Sequence, residues 1–91
     1  MHSLLWKKQA NNDLVNIVRH IAEDNPDAAE SLAIEIQAKI EQLKTYPKLA
    51  RLGCKRGTRE FVAHVNYLVI YRIQGNTVEI LRVKHTAQQW P

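Results

Sequence analysis

Apolar residues recur at two spacings, and the change from one to the other divides the chain into a helical part and a strand part. A short apolar run at Leu4-Leu5-Trp6 predicts a strand at the edge of a sheet. A first apolar stripe then follows a period of about 3.6 residues and contains Leu14, Ile17, Val18 and Ile21. A second stripe runs from Ala29 to Leu43. The pattern predicts two amphipathic helices after the first strand.

The joint between the two helices contains a start signal for the second one. Asn25 can accept hydrogen bonds from free N–H groups, and Pro26 suits the first helical position because it has no N–H. The second stripe fails at Tyr46-Pro47, since proline disfavours the helical conformation in the residue before it. Because the joint is so short, we expect the helices to form an antiparallel hairpin.

The last third of the chain, from Arg59 onward, predicts three consecutive strands. Gly75-Asn76 is a strong signal for a two-residue hairpin turn, because both residues tolerate positive φ. Counting outward from this turn pairs Arg72 with Glu79 near the turn, and the count continues without interruption along both strands.

The same register divides the last two strands into two faces. The face expected to seat the helices contains Leu68, Ile70, Leu81 and Val83. The face expected to be open mixes aromatic, aliphatic and basic residues, namely Tyr67, Val69, Tyr71, Ile73, Val78, Ile80, Arg82 and Lys84. A two-residue turn at Val65-Asn66 would pair Arg59 with Arg72 on the helix side, whereas an odd number of turn residues would place it on the face of Arg82.

These elements predict an α+β fold of one domain over residues 1–91, in the order β-α-α-β-β-β. An antiparallel sheet carries the two-helix hairpin on one face. No apolar run reaches the roughly 18 residues of a membrane-spanning helix, and the first residues lack the order of a signal peptide. We therefore expect a cytoplasmic protein without a membrane partner.

Charge is distributed unevenly along the chain. Residues 1–46 contain five Lys and Arg against seven Asp and Glu, whereas residues 47–91 contain eight against two. A basic half suggests a surface for phosphates or for an acidic protein, although a solvated basic face is the simpler alternative. The loop over residues 47–58 contributes Lys55 and Arg56, and its glycines match no P-loop or dinucleotide fingerprint.

The sequence offers no set of metal ligands. Cys54 is the one cysteine, so an internal disulfide is excluded, and an ordinary loop thiol is the natural interpretation. The four histidines are scattered, with no acidic residues gathered beside them. We expect no metal and no other cofactor.

Taken in order, several segments resemble the RelE/ParE superfamily of bacterial toxins. They are NPDAAESLAIEI, the YP that ends the second helix, GTRE, NYLVIYRI, VEILRV and the terminal HTAQQWP. The resemblance runs essentially from end to end, and it rests on the order and spacing of the segments together.

The resemblance implies the toxin of a type II toxin–antitoxin module, of the kind that stabilises plasmids. Such a toxin arrests growth by acting on nucleic-acid machinery, and a cognate antitoxin wraps it and holds it inactive. The acidic, amphipathic segments of such antitoxins would suit the basic half and an apolar sheet face.

Two branches of the superfamily imply different targets. RelE-like toxins cut mRNA in the ribosome, and a metal-free reaction of this kind needs a base, an acid and cations around the phosphate. Arg59 and Arg82 would then stabilise charge, and His85 would be the candidate acid or base. The residues that would bind phosphates or the target are Lys55, Arg56, Lys84, Tyr67 and Tyr71.

ParE-like toxins instead poison DNA gyrase and need no nuclease residues. The ending ILRVKHTAQQ is more like this branch, in which His85 could be structural; by alternation it faces away from Arg82 unless the strand ends or bends at Lys84. The chain stops at Trp90-Pro91, without the C-terminal extension of some gyrase poisons.

A third alternative is a degenerate module that only binds antitoxin and helps to repress its operon. Val65 and Lys84 stand where relatives often have proline and an apolar residue. Either departure could weaken toxicity, by altering a turn or by adding charge to the binding face.

Overall fold

The computed structural model describes residues 1–87, which form a five-stranded sheet with two helices packed on one face. The elements are β1 (Ser3–Trp6), α1 (Lys8–Ala22), α2 (Pro26–Glu41), a 3₁₀ turn (Gln42–Lys44), β2 (Arg51–Leu52), β3 (Arg59–His64), β4 (Tyr67–Gln74) and β5 (Thr77–His85). The α+β prediction is confirmed.

Strand order in the sheet is β1-β5-β4-β3-β2. β1 lies at the sheet edge as predicted, and it pairs with β5 in parallel, whereas the other neighbours are antiparallel. β2 is a two-residue strand inside the segment that was expected to be only a basic loop. No helix in residues 1–87 is both long enough and apolar enough to cross a bilayer.

The start of α2 follows from its sequence as expected. The side chain of Asn25 accepts a 3.1 Å hydrogen bond from the backbone N–H of Ala28, and Pro26 is the first helical residue. Both helices bury one side, and the fully buried residues of α2 include Ile36 and Ile40. The hairpin of α1 and α2 therefore packs as one layer against the sheet.

The predicted assignment of the sheet faces was wrong for β4 and for β5 as far as Ile80, whereas Val83 faces the helices as predicted. Val69, Tyr71, Val78 and Ile80 belong to the buried cluster that also contains the helix residues, so these strand residues face the helices. Arg72 and Glu79, which alternate with them, form their ion pair on the other face. The strands carry apolar residues on both faces, and alternation alone could not show which face the helices cover.

A β-bulge at Leu81 shifts the register of the last hairpin. Gln74 pairs with Thr77 around the predicted turn, and the predicted register holds as far as Tyr71 and Ile80. Beyond Leu81 every predicted partner is wrong by one residue. Four pairs result: Ile70 with Arg82, Val69 with Val83, Leu68 with Lys84, and Tyr67 with His85.

A second irregularity lies between β3 and β4. His64 pairs with Tyr67 across a two-residue turn, but the register shifts between Val62 and His64. Arg59 therefore pairs with Tyr71 on the helix side, and the predicted pairing with Arg72 is wrong. Arg59 does not share a face with the position of Arg82, which pairs with Ile70 on the other side of the sheet.

Candidate functional site: the cleft between α1 and β5

An open cleft of about 380 Å³ lies between α1 and the C-terminal half of β5. Its lining residues are Asp13, Asn16, Ile17, His20, Tyr67, Arg82, Val83, Lys84 and His85. The structure thus brings together four residues that the sequence marked as candidates, and it adds polar residues from α1 that the sequence analysis did not single out.

Arg82 is held in the cleft by the carboxylate of Asp13. Its Nε donates a 2.7 Å hydrogen bond to Oδ2, and its Nη2 donates a 3.0 Å bond to Oδ1. The side chains of Arg82 and Asp13 are only 26% and 17% exposed, so the pair is shielded more than a surface ion pair. The hydrogen bonds to Asp13 raise the pKa of Arg82 and fix its positive charge.

Asp13 can reach the edge of β5 because β1 is short. That strand pairs with β5 only as far as Ile80, so the edge of β5 beyond this residue has no neighbouring strand. The backbone N–H of Val83 lies on this edge and donates a 3.0 Å hydrogen bond to Asp13 Oδ2. A side chain from α1 therefore satisfies a strand N–H, and the free edge lets Arg82 reach the helix layer.

His85 lies at the end of β5 and contributes a ring to the cleft. Its ring makes an edge contact with Tyr67, with 5.4 Å between the centroids. Its Nδ1 accepts a 3.0 Å hydrogen bond from the backbone N–H of Ala87. The lone pair on Nδ1 is therefore used by this hydrogen bond.

His64 repeats this arrangement at the end of β3. Its Nδ1 accepts a 3.2 Å hydrogen bond from the N–H of Asn66, and its Nε2 lies 3.5 Å from the carboxylate of Glu35 on α2. Its ring centroid is 5.8 Å from that of Tyr67. His64, Tyr67 and His85 thus form one row of rings at this end of the sheet, and His64 was missed because no local pattern marks it.

The remaining basic candidates lie two strands away from the cleft. Lys55 and Arg56 are exposed in the connection between β2 and β3, where Gly57 takes a φ of 82° that favours glycine. Arg59 begins β3, and its Nη1 donates a 2.8 Å hydrogen bond to the carbonyl oxygen of Ala50. The structure therefore separates these three residues from the group around Arg82.

Tyr71 is fully buried, and the prediction that it lies on an open face was wrong. Its hydroxyl donates a 2.6 Å hydrogen bond to the carbonyl oxygen of Pro47, so it joins the core to the linker after α2. Within residues 1–87, no group of three or more His, Cys, Asp or Glu side chains is placed to hold a metal ion. The segment Gln88–Pro91, including the predicted ending Trp90-Pro91, lies outside the described residues.

The cleft has a clear chemical character. It combines two basic side chains, Arg82 and Lys84, with the ring pair of Tyr67 and His85. Asp13 is the one acid among the lining residues, and it neutralises the arginine. The position of Asp13 could not be found from the sequence, because 69 residues separate it from Arg82.

Comparison with known proteins agrees with this fold. The family model described as ParE toxin of type II toxin-antitoxin system, parDE, matches residues 4–90. Y4kP of Sinorhizobium fredii, a protein named as a candidate toxin, is 40% identical over 87 residues, which cover 94% of this chain and 90% of that protein. Toxin RelE2 of Caulobacter vibrioides is 30% identical over 88 residues, covering 97% and 99% respectively.

Solved structures have the same architecture. A structure of the chromosomal ParDE system of P. aeruginosa is similar with a TM-score of 0.77 and 25% identity, covering 93% of this chain and 96% of that one. YafQ of E. coli shares the fold with a TM-score of 0.60 and 12% identity, covering 96% of each chain. The superfamily predicted from the sequence is confirmed, and the chain belongs to the ParE toxin family of type II toxin–antitoxin systems.

Proposed function

We propose that this toxin arrests growth by poisoning DNA gyrase, as ParE-like toxins do, and that it does not cut mRNA on the ribosome. The observation that carries the proposal is the pair of Arg82 and Asp13. A nuclease needs this guanidinium to stabilise charge on the phosphate, but here a carboxylate accepts hydrogen bonds from its Nε and Nη2. The positive charge is neutralised within the protein.

The environment of His85 supports the same conclusion. A general base must have a free lone pair, and in the neutral tautomer the lone pair on Nδ1 accepts the N–H of Ala87. The general acid would be the doubly protonated ring, and its Nδ1–H would then point at the backbone N–H of Ala87. Either catalytic role would therefore cost the hydrogen bond that orders the turn after β5.

Arg59 cannot replace Arg82 as the cation that would stabilise charge on the phosphate. It begins β3, two strands from β5, and the carbonyl oxygen of Ala50 accepts a hydrogen bond from its Nη1. The family match to ParE toxins and the similarity to a ParDE structure point to the same branch. Together these observations favour a target that is inhibited by binding and not by catalysis.

We also propose a cognate antitoxin as the partner that holds this toxin inactive. The P. aeruginosa relative belongs to a ParDE toxin–antitoxin system. The basic second half of this chain, with Lys55 and Arg56 exposed, suits an acidic antitoxin segment. This electrostatic match predicts binding that weakens as the salt concentration rises.

Two parallel assays test the proposed target. Purified toxin is added to a gyrase supercoiling reaction on relaxed plasmid, and separately to ribosomes translating a defined mRNA, with primer extension to detect cuts. We expect loss of supercoiling with intact mRNA, and we expect added antitoxin to restore supercoiling.

The assays distinguish the three alternatives. Cuts in the mRNA with normal supercoiling would show a RelE-like endonuclease and overturn the proposal. If neither activity is inhibited and expression of the toxin does not slow growth, the chain is a degenerate module that only binds antitoxin and represses its operon.

A further inference from the structure

We infer that the cleft between α1 and β5 contains an anion-binding site whose donors are occupied by the carboxylate of Asp13. This carboxylate excludes an external phosphate, which binds when the carboxylate is removed. This inference goes beyond the proposed gyrase target. It concerns which anion occupies the donors at the edge of β5, so the two can be tested separately.

Three N–H donors converge on a single carboxylate in the cleft. Arg82 contributes its Nε at 2.7 Å and its Nη2 at 3.0 Å, and Val83 contributes its backbone N–H at 3.0 Å. A planar guanidinium fork beside a backbone N–H is the arrangement by which proteins bind phosphates and carboxylates. Asp13, on α1, therefore places a carboxylate where an anion from solution would otherwise bind.

The donors belong to the strand and not to the helix that carries their acceptor. Val83 is held by its pairing with Val69, and its N–H points to the edge of β5, where no strand accepts it because the pairing with β1 ends at Ile80. The backbone donor therefore does not depend on Asp13, whereas the guanidinium of Arg82 is held by that carboxylate and needs another anion to hold it there. Loss of Asp13 leaves all three donors without this acceptor.

The surroundings favour an anion of higher charge than a carboxylate. Lys84 lines the same cleft from β5, and His20 lines it from α1, while Asp13 is the one acid among the lining residues. The cleft volume of about 380 Å³ leaves room for a phosphate beside Tyr67 and His85. In the native protein, a phosphate must compete with a carboxylate that is tethered next to the donors and has a high effective concentration.

Thermal unfolding tests this competition with inorganic phosphate as the probe. Three proteins are compared: the native chain, Asp13→Ala, and Asp24→Ala as a control with the same change of charge at an exposed site. Each is titrated with sodium phosphate at pH 7, and with sodium chloride at equal ionic strength. We expect the Tm of Asp13→Ala to rise with the logarithm of the phosphate concentration above the Kd, by about 7 °C at ten times the Kd. We expect no such difference for the other two proteins.

A second readout locates the bound anion. The Nε–Hε resonance of Arg82 in the ¹H–¹⁵N NMR spectrum of Asp13→Ala should shift with the same Kd. If Asp13→Ala does not fold, Asp13→Asn is titrated in the same way, since its neutral side chain keeps the volume but loses the charge.

Equal phosphate effects on Tm in all three proteins, or an Arg82 resonance that does not move, would overturn the inference. So would phosphate binding by the native chain as tight as that by the variant, because Asp13 would then not close the site. None of these results depends on gyrase, and the gyrase assay does not depend on phosphate binding in the cleft.

Discussion

The hydroxyl of Tyr71 donates a 2.6 Å hydrogen bond to the carbonyl oxygen of Pro47, and so fixes the linker after α2 to the middle of the sheet. The tyrosine ring is fully buried in the main core. Its hydroxyl is polar, and the linker supplies the acceptor that makes this burial tolerable. The same contact determines where the chain turns toward β2.

Replacing Tyr71 with phenylalanine should lower the free energy of unfolding by about 1 to 2 kcal/mol, because the Pro47 carbonyl loses its donor. Urea denaturation at pH 7 measures this change. Tyr46→Phe is the matched control: Tyr46 is 63% exposed, and its substitution should change the stability by less than about 0.5 kcal/mol. Equal effects would show that the hydrogen bond contributes nothing.

Burial raises the pKa of Tyr71, which gives a second prediction, for alkaline pH. The folded state keeps the phenolic proton to a higher pH than the unfolded state does. The contribution of Tyr71 to the free energy of unfolding is therefore fully present below about pH 10. It falls as the pH rises above this value, because the tyrosine ionises first in the unfolded chain. Tyr71→Phe should lose this part of the pH dependence in denaturation curves between pH 8 and 11, ranges set by the phenol pKa of about 10.

Glu60 provides a prediction for acidic pH. Its carboxylate accepts hydrogen bonds from the N–H of Cys54 and from Arg51, each at 3.1 Å, and the bond from Cys54 is the main cause of its lowered pKa. Glu60→Gln should cost about 1 to 3 kcal/mol at pH 7. Because the folded pKa is lowered, this contribution is present above the ordinary carboxyl pKa of about 4.5 and is lost as the pH falls through the folded value.

Denaturation of the native chain and Glu60→Gln at several pH values checks this. The difference in stability should stay constant down to about pH 4.5 and shrink below it, as the pH falls toward the lowered pKa of Glu60 in the folded state. Glu30→Gln, at an exposed position of α2, should show no comparable difference. If the difference in unfolding free energy between the native chain and Glu60→Gln does not change with pH, the charged carboxylate does not have this role.

The cap of α2 gives a prediction that concerns stability alone. Asn25→Ala removes the side chain that accepts the N–H of Ala28, and it should lower the unfolding free energy by about 1 kcal/mol. Thermal or urea denaturation measures the loss. Asn12→Ala on the exposed side of α1 serves as the control, and a similar loss there would mean that the cap is not the cause.

Lys84 gives a prediction for toxicity. It pairs with Leu68 and lines the cleft, so its amine must be desolvated when a target covers this surface. We expect Lys84→Leu to arrest growth at a lower level of induction than the native chain. Lys48→Leu, at an exposed position of the linker, is the control. Equal toxicity of Lys84→Leu and the native chain would refute the idea.

Local chemistry in the sequence was enough to find most of the elements. Asn25 and Pro26 identify the start of α2, and Gly75-Asn76 identifies the turn from which the register of the last hairpin could be counted. Each signal depends on the conformational preference of one or two residues. Features that depend on neighbouring residues alone can be predicted in this way.

The bulge and the candidate site depend on contacts that the sequence does not display. Leu81 is an apolar residue like others in the strand, so nothing in its residue type marks it as the extra residue that shifts Arg82 into a new register. The carboxylate that holds Arg82 comes from Asp13, near the other end of the chain. Without that pair, the arginine could be interpreted as a free catalytic cation.

The parallel pairing of β1 with β5 has a consequence for when the toxin is completed during its synthesis. Ser3 lies beside Thr77, although 74 residues separate them along the chain. The first strand therefore cannot find its partner until β5 has been synthesised, because long-range pairing cannot precede the synthesis of the second strand. Translation itself thus sets the earliest time at which the sheet of this toxin can be completed.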